Sequence, residues 1–256
     1  MKLAVTTVGQ GPDLVLLHGW GMNGGVWAGA ADRLADRYRL SILDLPGHGA
    51  STLDGDHADL ATWADALVAA APRRASWLGW SLGGQLALRV ALDHPARVRD
   101  LTLVATTPRF LRSDDWPHAM APDTLAGFKD ALLEDPRRTL ARFLAKQVRG
   151  ADEARENLRV LKAAIGRREP ASPRGLAQGL DLLLHTDLRE ELASLQCPSL
   201  WLFGERDTLV PARVSDYIGG LIPDARVAVV EGAAHAPLLS HPQPCEALIH
   251  SFLEAA

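Results

Sequence analysis

Three side chains of the 256-residue chain have the types and the order needed for nucleophilic acyl transfer. Ser81 lies in Gly79-Trp80-Ser81-Leu82-Gly83, a G-x-S-x-G pentapeptide between the apolar run "ASWLG" and the helical pattern "LGGQLALRVALDHP". A strand before and a helix after are the context in which this pentapeptide makes a sharp turn and lifts a serine above a sheet. Glycine weakens both kinds of element, so glycines two before and two after a serine need a local reason. The expected reason is steric. Side chains at Gly79 and Gly83 would collide with neighbouring backbone, Ser81 would sit in a strained conformation, and Gly84 would permit close helix packing.

A serine hydroxyl is a poor nucleophile at neutral pH. It needs a base to take its proton and an acid to hold that base in the right tautomer. After such a serine the acid and then the histidine should follow in chain order. Asp207 in "LWLFGERDTLVP" follows an apolar strand pattern, and His235 in "VAVVEGAAHAPLLSHP" lies in a small-residue loop after the last one. Glu205 is a rival acid, closer to its strand. His241 is a rival base, though a position before proline at a helix start suits a capping role better. The oxyanion of a tetrahedral intermediate needs two N–H donors. Leu82, just after the serine, should supply one, and Trp20 in "HGWG" the other. His18 is expected to bond nearby backbone, and His48 in "DLPGHGAS" to be structural. His57, His94, His118, His185 and His250 read as surface or helix-end residues.

These residues must be positioned by an α/β scaffold. Residues 14–17 form a continuous apolar run, as in a strand buried on both faces. Further strands are expected in "RLSILDLPGHG", "ASWLG", "VRDLTLVATTP", "CPSLWLFGERD" and "ARVAVVEGAAH". "LAVTTVGQGP" adds a short strand and a turn at the start. Helical spacing runs over 27–38, "DLATWADALVAAA" and the closing "PQPCEALIHSFLEAA". Such alternation implies a mostly parallel central sheet flanked by helices. It stops at about residue 108, and the sequence reads as helical to about 184, with Pro117, Pro122 and Pro136 as breaks. Asp135-Pro136 makes a helix start. The domain reading is a core of 1–108 and 186–256 and an α-helical lid insertion at 109–185. That lid is well placed over the carboxyl edge of the sheet, where ligands bind in open α/β folds.

The composition narrows the function classes. A formal charge of −4 disfavours a general nucleic-acid binder. Cys197 and Cys245, far apart and outside any CxxC spacing, suggest neither a disulfide framework nor a zinc site. Serine acyl transfer requires no metal or organic cofactor, and none is expected. "MKLAVTTVGQ" has one lysine and no apolar run of signal-peptide length, and no stretch is long enough to span a membrane. A cytoplasmic, monomeric protein is the expectation.

The motifs carry a family likeness. The core resembles α/β-hydrolases, and the closer match is to the pimeloyl-[acyl-carrier protein] methyl ester esterases of biotin synthesis. It rests on "LVLLHGWGMNGGVW", "LDLPGHGAS", "WLGWSLGGQLAL", "DDWP", "LAGF", "RRTLARFLAKQ", "GLDLLLHTDLR", "LVP" and "AAHAPLLSHP". Tryptophan in the variable positions of both HGWG and GWSLGG is more specific than the superfamily pattern. "SPRGLAQGLDLLLHTDLR" is the stretch that resembles the esterase family only loosely. The resemblance implies Ser81 as nucleophile, Asp207 as orienter, His235 as base, and a lid. It also implies substrate contacts from Trp20, Ser81, Leu82, His235 and the lid segment 143–147, Phe143 and Gln147 included.

The partner implied is an acidic acyl carrier protein bearing a methyl-esterified pimeloyl chain. Residues 137–174 hold eleven Lys/Arg against four Asp/Glu, a strongly basic segment in an acidic chain. Arg138, Arg142, Lys146 and Arg149 share one helical stripe, and Arg155, Arg159 and Lys162 another. A solvated face is the plain reading of such charges. Like charges stacked four apart repel, however, and few acids sit among them, which favours docking of an acidic carrier through Arg138, Arg142, Arg155, Arg159 and Lys162. Leu140, Phe143, Leu144 and Gln147 occupy another part of the first helix and could face the acyl chain. The alternatives are a carboxylesterase or lactonase for small free esters, and a ligand receptor that kept the hydrolase fold. Halide-cleaving relatives need an aspartate where Ser81 stands.

Overall fold

The uninterrupted apolar runs form the middle of a sheet in the computed structural model, which describes residues 1–56 and 59–255. His57 lies outside the described residues, as does Ala256 at the end of the closing segment. Along the chain come β1 (Val5–Val8), β2 (Asp13–Leu17), α1 (Ala28–Leu34), β3 (Arg39–Leu43), α2 (Leu60–Ala70), β4 (Ala75–Trp80), α3 (Leu82–Asp93) and β5 (Val98–Val104). Four helices follow before the sheet resumes: α4 (Pro122–Glu134), α5 (Pro136–Gln147), α6 (Ala154–Ile165) and α7 (Pro173–His185). The chain closes with β6 (Ser199–Gly204), α8 (Ser215–Leu221), β7 (Arg226–Val230), α9 (Pro237–Ser240) and α10 (Pro242–Leu253).

The seven strands lie in the order β1-β3-β2-β4-β5-β6-β7. Only the β1–β3 pair is antiparallel among them. Every residue of β4 and β6 is buried, because helices cover both faces of a parallel sheet. Alternate side chains sort to the two faces. Leu17, Trp77, Trp201 and Phe203 join one core cluster, while Leu16, Leu78, Trp80, Leu200 and Leu202 join the other. The register pairs Leu17 with Gly79 and Gly79 with Leu103, so the loops after β2, β4 and β5 leave the sheet at one edge. Val104 pairs with Leu202 and Gly204 with Val230, which brings the loops after β6 and β7 to the same edge.

The helical segments mostly begin where prolines and small polar residues direct. Pro122, Pro136 and Pro173 each open a helix, where a missing N–H costs nothing. Asp135 caps α5 by accepting from the Arg138 amide at 3.0 Å, and Ser172 caps α7 by accepting from Gly175 at 3.0 Å. The segment 27–38 is shorter than its spacing predicts. A 3-10 turn at Gly24–Trp27 precedes α1, and bonds from Arg37 and Tyr38 back to Leu34 close a turn. The chain has to reverse there to enter β3 at Arg39. Both cysteines are free, and burial pushes both thiols up to about 12. Among the described residues no helix is long and apolar enough to cross a membrane.

Candidate active site

The turn between β4 and α3 is built by what its glycines leave out. A Cβ on Gly79 would lie 2.3 Å from the Gly83 carbonyl oxygen, and one on Gly83 would lie 2.5 Å from that of Leu17. These are backbone atoms and cannot step aside. Ser81 itself has φ 57° and ψ −118°, a strained conformation for a residue with a side chain. The Ser81 amide donates to the Val104 oxygen at 2.9 Å, and the Ser81 carbonyl accepts from the Thr106 hydroxyl at 2.7 Å. A Cβ on Gly84 would meet Thr106 Cγ2 at 2.6 Å, so α3 rests directly on that threonine.

His235 Nε2 lies 3.0 Å from Ser81 Oγ, and His235 Nδ1 lies 2.7 Å from Asp207 Oδ2. A carboxylate at Nδ1 keeps the ring proton there and leaves Nε2 to accept from the serine hydroxyl. The other carboxylate oxygen, Oδ1, accepts from the amides of Leu209 at 2.7 Å and Val210 at 2.9 Å. Ser81, His235 and Asp207 are 2 %, 1 % and 5 % exposed, so the series is shielded from water. The Trp80 indole donates to the His235 carbonyl at 2.8 Å and ties the histidine loop to the strand before the serine. Glu205 is exposed and accepts from the Gly232 amide at 2.9 Å, away from the histidine. His241 occupies the backbone cap position of α10, but its ring does not cap. Its Nδ1 lies 2.8 Å from Ser240 Oγ, because the ring turns back along α9.

The Trp20 and Leu82 amides donate to no acceptor among the described residues, and both residues are wholly buried. A Cβ on Gly19 would lie 3.3 Å from Ser81 Cβ, so the HGWG loop runs beside the serine. Unpaired buried N–H groups are rare. One of these belongs to the residue after Ser81 and the other to the residue after Gly19, in the loop that runs beside the serine.

Two neutral imidazoles fix that loop. His18 Nδ1 donates to the Gly19 oxygen at 2.8 Å, and its Nε2 accepts from Leu45 at 3.0 Å. His48 Nδ1 donates to the Pro46 oxygen at 2.9 Å, and its Nε2 accepts from Gly21 at 3.2 Å. Burial pushes His18 down to about 3 and His48 to about 4, so both stay neutral at working pH. Of the other histidines, His94 ends α3 and pairs with Asp65, His185 ends α7, and His118 and His250 are half-buried.

The inserted helices lie over this edge. Trp20 stands edge-on to Phe143 at 4.7 Å, and Phe143 edge-on to Phe128 at 5.7 Å. The Trp20 indole donates to the Leu176 carbonyl at 2.8 Å. Gln147 is fully buried, and neither atom of its carboxamide has a partner among the described residues. Leu144 departs from the expected grouping and joins the cluster with Val148 and Leu161 between α5 and α6.

The five cations expected to dock a partner, Arg138, Arg142, Arg155, Arg159 and Lys162, are all exposed. Arg149 lies beyond the last residue of α5, so the first stripe ends at Lys146, whose ammonium sits over the Phe128 ring at 5.8 Å. Arg159 is not free: it makes a two-pronged pair with Glu156 at 2.8 and 2.5 Å. Among the described residues no cluster of three or more His, Cys, Asp or Glu is arranged to hold a metal.

The sequence offered no sign of Thr106, which reaches Ser81 only through tertiary contact. The tryptophans at 20 and 80 did carry a signal. A buried indole N–H requires an acceptor, and each finds a carbonyl across the site.

A family model described as the alpha/beta hydrolase fold matches residues 12–242. A curated "Pimeloyl-[acyl-carrier protein] methyl ester esterase" of Aeromonas hydrophila is 44 % identical over 254 residues, covering 99 % of this chain and 100 % of the relative. One of the same name from Xanthomonas oryzae is 44 % identical, with 97 % of this chain and 98 % of the relative covered. Among solved structures, an esterase from Exiguobacterium antarcticum superposes with a TM-score of 0.88 at 23 % identity, covering 98 % of this chain and 95 % of that one. An enol-lactonase from Burkholderia xenovorans superposes at 0.86 with 20 % identity, covering 98 % and 96 %. At those identities the structures share the fold.

Proposed function

Since the chain belongs to the pimeloyl-[acyl-carrier protein] methyl ester esterases of the α/β-hydrolase fold family, we propose that it hydrolyses the methyl ester of a pimeloyl chain held on acyl carrier protein, as a step of biotin synthesis. The observation that carries the chemistry is the Ser81–His235–Asp207 series, with its 3.0 and 2.7 Å links, beside two unpaired amides.

In this reading His235 takes the hydroxyl proton through Nε2 as Ser81 Oγ attacks the ester carbonyl. The oxyanion rests on the Trp20 and Leu82 amides, and one such donor is worth about 10²–10³ in rate. The tetrahedral intermediate collapses, and methoxide leaves with the proton from His235. Water, deprotonated by the same nitrogen, then attacks the acyl-serine; the second intermediate collapses, His235 returns the proton to the leaving Ser81 Oγ, and the acid formed ionises to a carboxylate. Asp207 stays ionised throughout and stabilises the imidazolium. The new carboxylate is costly to hold against Trp20 and Phe143, which favours release.

Residues 109–185 act as the lid, with Phe143 and Gln147 facing the acyl chain. Arg138, Arg142, Arg155, Arg159 and Lys162 form the docking face for the acidic carrier, with Arg159 contributing less because Glu156 already neutralises it. The test is turnover of pimeloyl-carrier methyl ester beside a short nitrophenyl ester at low and moderate salt. The carrier-bound ester should be much the better substrate, with an advantage that salt erodes. Turnover of the small ester alone would leave a general esterase and remove the carrier from the reading.

A further inference from the structure

Ser81 and His235 are so well covered that substrate needs an opening, and the lid is anchored very unevenly. The half formed by α6 and α7 is bonded to the core at many points. Asn23 Nδ2 donates to the carbonyls of Ile165 at 2.9 Å and Glu169 at 3.0 Å. Arg168 reaches buried Asp44 at 3.8 Å and the Thr6 hydroxyl at 3.2 Å. The Ser172 amide donates to the Gly47 carbonyl at 2.8 Å, and Gln178 donates to that of Gly55 at 3.1 Å. Gly175 and Gly47 meet so closely that a Cβ on Gly175 would lie 2.3 Å from the Gly47 oxygen.

The half formed by α4 and α5 is different. Its two helices are joined to each other, since the Thr139 hydroxyl donates to the Ala131 carbonyl at 2.8 Å. Among the described residues a single polar link leaves the pair, the half-buried Lys129–Asp181 contact at 2.6 Å, and it runs to α7 rather than to the core. What holds α5 over the site is apolar: Phe143 on Trp20, and Leu140 against Gly21. Such contacts part without stranding a polar group. The closed arrangement also leaves the Gln147 carboxamide buried and unpartnered, which disfavours it relative to one where that amide meets water or substrate. The pair is bounded by the Ala121-Pro122 helix start and by Gly150 at φ 93°, both suited to absorb a backbone rotation.

We propose that the α4–α5 pair moves as one gate on the fixed α6–α7 frame, with Phe143 as the residue that closes the path to Ser81 and thereby limits access of small esters. This rests on the reading of Ser81 as the nucleophile. Arg138 and Arg142 are exposed on α5, so a carrier docked on them sits on the moving element itself.

The test is the rate at which ethyl fluorophosphonate labels Ser81 in the full chain. If the open state is a minor one, Phe143→Ala should label at least about tenfold faster than the parent. Phe143→Leu, which keeps bulk but loses the ring edge, should fall between and guards against a folding defect in the alanine variant. Lys129→Ala should also speed labelling, and Arg168→Ala should not. In steady state, Phe143→Ala should raise kcat/KM for the short nitrophenyl ester and shrink the preference for the carrier-bound one. Parental labelling rates in both Phe143 variants would overturn the gate. A larger acceleration from Arg168→Ala than from Lys129→Ala would overturn it too, by placing the motion in α6–α7. Absence of labelling in the parent would remove the serine mechanism, and the gate with it.

Discussion

At the residue scale, the arrangement around Ser81 separates groups that react from groups that hold them. Ser81→Ala should abolish fluorophosphonate labelling and lower kcat by about 10⁶-fold. Asp207→Asn should keep the fold and lower kcat by about 10⁴-fold, because an amide at His235 Nδ1 permits the wrong tautomer. His18 and His48 hold the HGWG loop as neutral rings, and this makes stability depend on pH. In the unfolded chain they take up protons near 6.5, but when folded only near 3 and 4. Between those values the unfolded state binds more protons. Stability is therefore full above about 6.5 and falls as pH is lowered, by about 1.4 kcal/mol per pH unit for each ring. Urea midpoints at pH 7, 6 and 5 should follow that slope, and His48→Gln should reduce it. A midpoint independent of pH would show that the two rings are not held as neutral acceptors.

At the element scale, the nucleophile turn is where local preference yields to packing. The glycine pattern around Ser81 announced a close approach, and the distances from the would-be Cβ atoms to Gly83 and Leu17 oxygens identify it. Gly83→Ala should cost at least about 1–3 kcal/mol, read as a lower thermal midpoint, since a backbone carbonyl of β2 has to shift. The buried strands were legible because continuous apolar runs are what two covered faces require, and the Asp135-Pro136 start was legible because capping is local. The segment 27–38 was less so. Its spacing is helical, but the chain must turn into β3, and that demand comes from the sheet. The end of α5 likewise removes Arg149 from the stripe on which spacing alone placed it.

At the scale of the whole molecule, the charge is divided between an acidic core and a basic lid, which suits encounter with an acidic partner. Charge reversal at Arg138, Arg142 and Arg155 should raise KM for the carrier-bound ester far more than for a nitrophenyl ester. The salt dependence of the carrier reaction should flatten at the same time. Equal effects on both substrates would assign these residues to a solvated surface. Arg159→Glu should do less than the others, because its partner Glu156 already screens it.

The sequence by itself determined the chemistry and its order along the chain: a serine between glycines, then an acid, then a histidine, each at a strand end. Those signals are local, set by glycine, by apolar runs and by caps, so they survive without a fold. The sequence already preferred Asp207 to Glu205 and His235 to His241, but the distances between these side chains came only with the tertiary structure. Parallel pairing brings the ends of β4, β6 and β7 to one edge, and there one carboxylate and one imidazole lie within hydrogen-bond reach of each other while their neighbours turn away. The uneven anchoring of the lid was also beyond the sequence, because it depends on Asn23, Asp44 and Gly47 meeting residues more than a hundred positions away.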